Sequence, residues 1–274
     1  MILLVTSRKD IASLNIMKNI LRNYPFIEIN EAYQNNPIYL ADVRGKRVKL
    51  ILIEEESIRA QKLSENFPDS NLIVFISRHS SISGKPTLSV HTPGNFNKAD
   101  FGGLSKQVSI SPATAMRDAL KALSLFTESM HLDYEISYEC THHGPSLNVP
   151  AMFVELGSTS EQWCDEKAAK AVAHAVMSAI GKFGISANTA VLGIGGPHYN
   201  HRFTRMALDG RAVFGHMVPK HAVQFLDLDM LSQCMKKTLE KVDCAILDWK
   251  GICGPDKPKL LDMLGKIGLS HMKV

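Results

Sequence analysis

The sequence predicts an α/β protein with mixed, mostly parallel sheets that are covered by helices. Apolar runs of strand length alternate along the chain with stretches of helical periodicity. Several runs are apolar over their whole length, which is typical of strands buried on both faces of a sheet. With 274 residues, 45% of them hydrophobic, the chain can bury the core of one large domain or of two smaller ones.

The first third of the chain indicates a β-α opening followed by further strands. Residues 1–7 (MILLVTS) form an apolar run, and helical periodicity begins after Asp10, a suitable N-cap. A short helix is expected within residues 57–68. Four more strands are predicted from their apolar or alternating patterns, in FIEIN, PIYLADV, VKLILIEE and NLIVFISRHSS.

The composition changes between Lys85 and Pro112, where Gly, Pro, Ser, Thr and Asn become frequent. Such a stretch is typical of a linker, and it is also typical of an active-site loop. We predict a domain boundary there, with an N-terminal α/β domain of residues 1–105 and a catalytic α/β domain of residues 106–274. A histidine-rich cleft is expected at their junction.

The second half repeats the alternation. A long helix is predicted in residues 111–130, with Ser111 as its N-cap and Pro112 at its first helical position. Further helices are expected in EKAAKAVAHAVMSAIGKF, in the stretch that ends near Lys241, and at the end of the chain. Strands are predicted in DYEISYECT, AMFVELG, TAVLGIGG, AVQFLDL and CAILDW.

Composition limits the classes of protein. The net charge of +4 and the pI of about 8.7 are compatible with a polyanionic partner without establishing one. The longest apolar runs are far shorter than the ~20 residues of a membrane span, and the first residues lack signal-peptide features, so we expect a cytoplasmic protein. Five cysteines without a C-x-x-C pair indicate reduced thiols and argue against a zinc ribbon.

Histidine is the residue type that points to chemistry. His142 and His143 follow a predicted strand, at the sheet edge where α/β proteins place ligand sites. On an extended backbone adjacent side chains point to opposite faces, so we expect different roles for the two. Glu155 interrupts the apolar strand AMFVELG, and a buried carboxylate needs a partner.

Three other strand ends carry histidines, namely His79 beside Arg78, His91, and His198. Before His198, the glycines of GIGG would let backbone N–H groups approach a phosphate or carboxylate, although a tight turn alone also needs glycine. Single histidines at such positions are often structural, but their agreement in position favours a common cleft. Cys140 is better explained as a small core residue than as a nucleophile. The sequence contains neither a G-x-S-x-G elbow nor an H-E-x-x-H helix.

Five motifs follow one another along the chain, SRHSS, HTPGN, THHGPSL, FVELGS and GGPHYNHRFT. Together they resemble the archaeal and plant type of D-aminoacyl-tRNA deacylase. The resemblance extends from about Ile2 to Gly251. The family's last motif more often reads GGGHY followed by a small residue and a proline, so Pro197 and His201 depart from it.

The resemblance implies hydrolysis of the ester between a D-amino acid and the 3′ end of tRNA, with zinc as the cofactor. It also implies a catalytic half similar to peptidyl-tRNA hydrolase and phosphorylase-type folds. Zinc accepts imidazole nitrogen and carboxylate oxygen, and a catalytic site keeps one position open for water. The expected partner is the aminoacylated end of tRNA, and we expect a monomer.

The candidate site residues have three expected roles. The metal ligands are expected to be His142, Glu155, His198 and His216. The catalytic or substrate-facing histidines are expected to be His143, His79 and His91. The substrate-binding residues are expected to be Arg78, Gly195, Gly196, Tyr199 and Lys250.

Lys250 follows Trp249 near a Gly-Pro turn, which suits phosphate contacts and stacking, although a core tryptophan with solvated lysines fits the pattern as well. Two other functions stay open. A metal-dependent amidase or peptidase would use the same residue types on a similar α/β alternation. A nucleic-acid or nucleotide binder would use the histidines only as hydrogen-bond partners of phosphates.

Overall fold

The computed structural model describes residues 1–185 and 189–274. The strands are, in chain order, β1 (Ile2–Ser7), β2 (Ile27–Tyr33), β3 (Asn36–Val43), β4 (Lys46–Ile53), β5 (Leu72–Arg78), β6 (Thr87–His91), β7 (Gly94–Asn95), β8 (Gln107–Val108), β9 (Glu135–Tyr138), β10 (Ala151–Gly157), β11 (Thr189–Ile194), β12 (Phe214–Val218), β13 (Lys241–Leu247) and β14 (Ser270–Lys273). The helices are α1 (Ile11–Asn23), α2 (Leu63–Asn66), α3 (Ala113–Ser129), α4 (Ser160–Trp163), α5 (Glu166–Lys182), α6 (His201–Leu208), α7 (Leu228–Lys236) and α8 (Asp256–Lys266).

The described strands form an eight-stranded sheet, a four-stranded sheet and a small β7–β8 ribbon. The order in the large sheet is β2-β3-β4-β1-β5-β10-β6-β9, with parallel pairing from β4 to β10 and antiparallel pairing at β2–β3–β4 and at β10–β6. The four-stranded sheet, β12-β11-β13-β14, is parallel throughout. The prediction of mixed, mostly parallel sheets covered by helices is confirmed.

The alternation of side chains along β1 explains why this strand is apolar on both faces. Leu4 packs into the core that α1, α3 and α5 form on one face of the large sheet. Leu3 and Val5 point into a second core on the other face, closed by segments that include Leu63 and Leu147. The centre of the large sheet is therefore covered on both sides.

The predicted N-cap of α1 is confirmed, whereas the predicted N-cap of α3 is not. Asp10 caps α1 by accepting a hydrogen bond of 3.0 Å from the Ser13 backbone N–H. The predicted Ser111 cap of α3 is wrong, because the Ser111 backbone pairs with residues 237 and 239 and the helix begins at Ala113. The Glu240 carboxylate accepts the first N–H groups of the helix instead.

The Gly- and Pro-rich stretch of residues 85–112 contains strands β6, β7 and β8. Strands β9 and β10, which come after residue 105, complete the sheet that β1 begins, so a division at residue 105 would cut this sheet. Residues 94–98, 100 and 101 line the cavity described below, as expected of an active-site loop.

The last third contains two strands that the sequence pattern did not indicate, β12 and β14. The predicted strand AVQFLDL is wrong, since residues 220–225 form a 3-10 helix beside the same cavity. Among the helices of residues 1–185 and 189–274, none has the length and apolarity needed to cross a membrane.

Candidate active site

A cavity of about 660 Å³ opens at the carboxyl ends of the parallel strands. This is where an open α/β sheet collects the residues that follow its strands. Most of the predicted catalytic residues line the cavity, and His91 lies fully buried against the rings of His142 and His143. The predicted residues that line it are Arg78, His79, His142, His143, Glu155, His198 and Tyr199.

Glu139, which the sequence analysis missed, lies at the centre of the site. It directly follows β9 and is 1% exposed. Its Oε1 atom lies 3.1 Å from Nδ1 of His79, and its Oε2 atom lies 2.9 Å from Nε2 of His198 and 3.6 Å from Nε2 of His142. One buried carboxylate thus contacts histidines from three separate segments.

Glu155, on β10, is a second buried carboxylate that contacts His79. Its Oε2 atom lies 3.5 Å from Nδ1 of His79, and its Oε1 atom lies 3.7 Å from Nε2 of His91 and accepts a hydrogen bond of 2.6 Å from Ser77. We predicted Glu155 as a metal ligand beside His142. The structure instead pairs Glu155 with His79 and His91, and it places Glu139 beside His142.

His142 and His143 do not point to opposite faces, so that expectation is wrong. Their ring centroids lie 4.2 Å apart, and both rings contact His91, with centroids at 4.2 and 4.8 Å. The reason is the backbone of His143, which has a φ of 43°. This left-handed conformation is strained for a residue with a Cβ, and it ends the alternation that an extended chain would impose.

His79 is held in its cationic form. Desolvation alone would lower the pKa of His79, but the carboxylates of Glu139 and Glu155 outweigh it and raise that pKa to about 11. The effect is reciprocal, because burial would raise the pKa of both glutamates while the histidines lower it, to about 2 for Glu155 and well below its usual value for Glu139. At neutral pH this part of the site contains two carboxylates around one imidazolium.

His142 and His143 are held in their neutral forms. Desolvation and the neighbouring histidines lower the pKa of His142 well below its usual value, and they lower that of His143 to about 4. In each ring Nδ1 faces a backbone carbonyl, Cys140 O at 2.9 Å and Gly144 O at 2.7 Å, and therefore carries the proton. The lone pair of each neutral ring consequently lies on Nε2.

Tyr199 and Arg78 form part of the cavity wall. The Tyr199 hydroxyl lies 3.1 Å from Nε2 of His79, and the two rings meet edge to face. Arg78 donates to the Glu56 carboxylate at 3.0 Å and to the backbone carbonyl of Lys9 at 2.9 Å. The arginine is thus fixed at the edge of the cavity by contacts outside the histidine cluster.

Gly195 and Gly196 do not offer their backbone N–H groups to a ligand, and our prediction for them is wrong. Both N–H groups donate to protein carbonyls, those of Val218 and Gly251. Their φ angles are 99° and 79°, and a Cβ added at Gly195 would lie 2.8 Å from the carbonyl oxygen of Asp248. Close packing of three backbone segments explains the glycines.

His216 lies outside the cluster, so its prediction as a metal ligand is wrong. It is fully buried on β12, where its ring nitrogens lie 3.2 Å from the Thr141 hydroxyl and 3.0 Å from the carbonyl oxygen of Lys237. Both nitrogens are occupied by protein groups, and burial lowers its pKa to about 4. His216 is a core histidine.

Two further sequence features lie outside the cavity lining. Cys140 is buried with its sulfur 3.6 Å from the carbonyl oxygen of Pro197, and burial raises the pKa of the thiol, which agrees with a core role. Lys250 is exposed in the turn after β13. Beside it, the ammonium groups of Lys257 and Lys273 lie 4.6 and 3.9 Å from the ring centroid of Trp249.

Three groups of donor atoms within the described residues have the spacing of metal ligands, each with its atoms within 4.8 Å of one another. One group is Glu139, His142 and His198, and a second is His91, His142 and His143. The third, His79 with both glutamates, is an ion-pair cluster. In the first group His142 offers the lone pair of Nε2, and the side chains of His142 and His198 are each 29% exposed toward the cavity.

The mixed α/β fold and the cluster of histidines and carboxylates at its strand ends are typical of an enzyme, because acid–base groups and side chains with metal-ligand spacing lie in one cleft. The family model of D-aminoacyl-tRNA deacylases matches residues 66–272. The D-aminoacyl-tRNA deacylases of Thermococcus onnurineus and Pyrococcus horikoshii are each 33% identical, over 98% of this chain and 98% of theirs. A solved structure described as a conserved protein of unknown function aligns with a TM-score of 0.88 and 31% identity, covering 100% of this chain and 95% of that one. The chain belongs to the D-aminoacyl-tRNA deacylase family, which confirms the resemblance found in the sequence.

Proposed function

We propose that the protein hydrolyses the ester that joins a D-amino acid to the 3′ end of tRNA, in the cytoplasm and as a monomer. Family membership supports the reaction. The observation that carries it is the contact of buried Glu139 with three histidines at the wall of a cavity of about 660 Å³. A cavity of this size suits a small molecule or the end of a longer one.

We also propose that the site holds zinc through Glu139, His142 and His198. This set has the two imidazoles and one carboxylate found in many catalytic zinc sites. The neutral His142 ring supports it, because its Nδ1 proton is committed to the Cys140 carbonyl and its Nε2 lone pair is free to bind a metal. Zinc bound there would lower the pKa of the attacking water and polarise the ester carbonyl.

His79 and Tyr199 suit the stabilisation of negative charge on the ester oxygen. The cationic His79 ring uses Nδ1–H toward the glutamates and Nε2–H toward the Tyr199 hydroxyl. Because Tyr199 accepts this hydrogen bond, its own O–H is free to donate into the cavity. A donor held in this way by a buried cation needs little reorganisation during the reaction.

His143 suits a contact with the end of the tRNA. Its Nδ1–H donates to the Gly144 carbonyl, so its Nε2 atom can accept a hydrogen bond in the cavity. The ribose hydroxyl next to the ester is a donor of the right kind. Outside the cavity, exposed Lys250 follows Trp249 in the chain, and this turn suits the phosphates of the acceptor end.

The decisive experiment compares matched D-tyrosyl-tRNA and L-tyrosyl-tRNA with zinc-supplemented protein. We expect D-tyrosine to be released much faster than L-tyrosine, with zinc at stoichiometric amounts in the purified protein. Equal rates on the two substrates would contradict a proofreading role. Cleavage of peptides but not of aminoacyl esters would favour the peptidase alternative.

A further inference from the structure

Phe101 and Phe225 are large apolar side chains that line the cavity and remain open to solvent. Phe101 is 68% exposed and Phe225 is 37% exposed. Phe101 lies in the loop between β7 and β8, and Phe225 ends the 3-10 helix that follows β12. Exposure of apolar rings to water is unfavourable, so two of them in one cavity indicate an apolar ligand.

The loop that carries Phe101 is held tightly by its backbone. The Gly144 N–H donates to the Phe101 carbonyl at 3.0 Å, and the Asn95 side chain donates to the Gly102 carbonyl at 2.9 Å. A Cβ added at Gly102 would lie 2.0 Å from the Ile58 carbonyl oxygen. The backbone of the loop therefore packs against its neighbours and is held in place. The exposed ring of Phe101 projects from this fixed backbone.

Two lysines lie in the same lining. Lys98 precedes Phe101 by three residues, and Lys9 follows β1. Within the described chain, neither ammonium group forms an ion pair. Five carboxylates also line the cavity: Glu56 is paired with Arg78, Asp10 caps α1, Glu139 and Glu155 contact His79, and Asp100 lies near Lys98 in the sequence. This balance of charge suits one phosphate group beside the aromatic rings better than a long polyanion.

We propose that Phe101 and Phe225 stack on the terminal adenine base of tRNA, with Lys98 and Lys9 close to the phosphate of the same nucleotide. This inference rests on the proposed function and names a subsite of it. The ester must reach the donor cluster, and the groups attached to it are the amino acid and the terminal adenosine. The amino acid varies in size and polarity, whereas the adenosine is common to all tRNA substrates, so a permanent aromatic surface suits the base.

Binding of adenosine 5′-monophosphate, measured by calorimetry, tests the subsite directly. We expect Phe101→Ala to weaken binding by about 5- to 150-fold, the range for loss of stacking on one base, and Phe101→Trp to retain it. Leu125→Ala, which removes a side chain that is 61% exposed on α3, is the matched control and should bind like the wild type. The inference is overturned if the wild type does not bind the nucleotide or if Phe101→Ala binds it equally well.

Kinetics with D-alanyl-tRNA and D-tyrosyl-tRNA separate the base from the amino acid as the group that Phe101 contacts. We expect Phe101→Ala to raise KM by the same factor for both substrates. A rise confined to the tyrosyl substrate would assign Phe101 to the amino acid and overturn the inference. If the wild type cleaves neither substrate, the proposed function fails, and the nucleotide titration still decides whether the subsite exists.

Discussion

Glu139 Oε2 lies 2.9 Å from His198 Nε2, although 59 residues separate the two along the chain. Glu139 follows β9 at the edge of the large sheet, and His198 follows β11 in the four-stranded sheet. The backbone supports the same junction, since Glu139 forms an isolated β-bridge with Tyr199. The proposed metal donors therefore come from both sheets, and the site depends on their contact.

Glu139→Gln tests the central carboxylate with almost no change of shape. We expect the variant to lose bound zinc and to slow single-turnover deacylation by roughly 10²- to 10⁴-fold, because it removes one proposed ligand and a counterion of His79. Metal analysis and single-turnover assays measure the two effects. Glu135→Gln, at the start of β9, is the control, since Glu135 pairs with Lys85 and His201 outside the cluster. Full zinc content in Glu139→Gln would remove Glu139 from the metal site.

His142→Ala and His143→Ala separate two adjacent rings. We expect His142→Ala to lose zinc together with activity, because His142 belongs to two of the three donor groups. We expect His143→Ala to keep zinc and to lose turnover, since its role is a contact with substrate. If both variants keep full zinc, neither ring is a ligand; if both keep full activity, the pair is structural. Folding of each variant is checked by circular dichroism.

His216→Gln tests a histidine that the sequence suggested as a ligand and the structure places in the core. Its pKa is about 4 in the folded protein, below the ordinary value of 6.5, so the unfolded chain binds a proton more readily between those values. This group therefore stabilises the fold fully above pH 6.5, and the contribution, about 3 kcal/mol, is lost as the pH falls to 4. Urea unfolding of wild type and variant at several pH values should show a stability difference that shrinks over that window. Zinc content should not change, and its loss would restore His216 as a ligand.

Lys250→Gln tests the surface beyond the cavity. If Lys250 contacts a phosphate, the variant should bind tRNA more weakly, and the slope of log K against log salt should become shallower by about 0.7 to 0.9. Lys182→Gln is the control, since Lys182 is exposed at the far end of α5, next to the β3–β4 turn. Titrations at several salt concentrations measure the slopes. Identical slopes for Lys250→Gln and the wild type would exclude Lys250 from the interface.

The sequence predicts much of this site because a parallel sheet brings together the residues at the carboxyl ends of its strands. His79, His91 and His198 come from three different strand ends, and each is recognisable from the sequence alone as a strand-end residue. Glu139 was missed because a glutamate in the alternating run DYEISYECT fits a solvent-facing position. The usable signal was its place three residues before His142, where a charged group next to a ligand site needs a partner.

The remaining errors have two physical causes, residue types that suit two different environments and a local backbone angle. A glycine is required both where a ligand approaches the backbone and where another backbone segment does, so the sequence alone does not distinguish these cases at Gly195 and Gly196. His216 presents the same ambiguity, because a histidine can satisfy both nitrogens with protein groups. The direction of the His143 ring depends on a single φ angle, and no periodicity rule reports one.

The origin of the proposed donors in both sheets has a consequence for biosynthesis. Chains emerge from the ribosome with the N-terminus first, and the large sheet is complete once β10 has been made. The donor set Glu139, His142 and His198 is complete only after α5 and β11 have also been made. If this donor set holds the metal, a nascent chain cannot present all three ligands until its four-stranded sheet has begun to form.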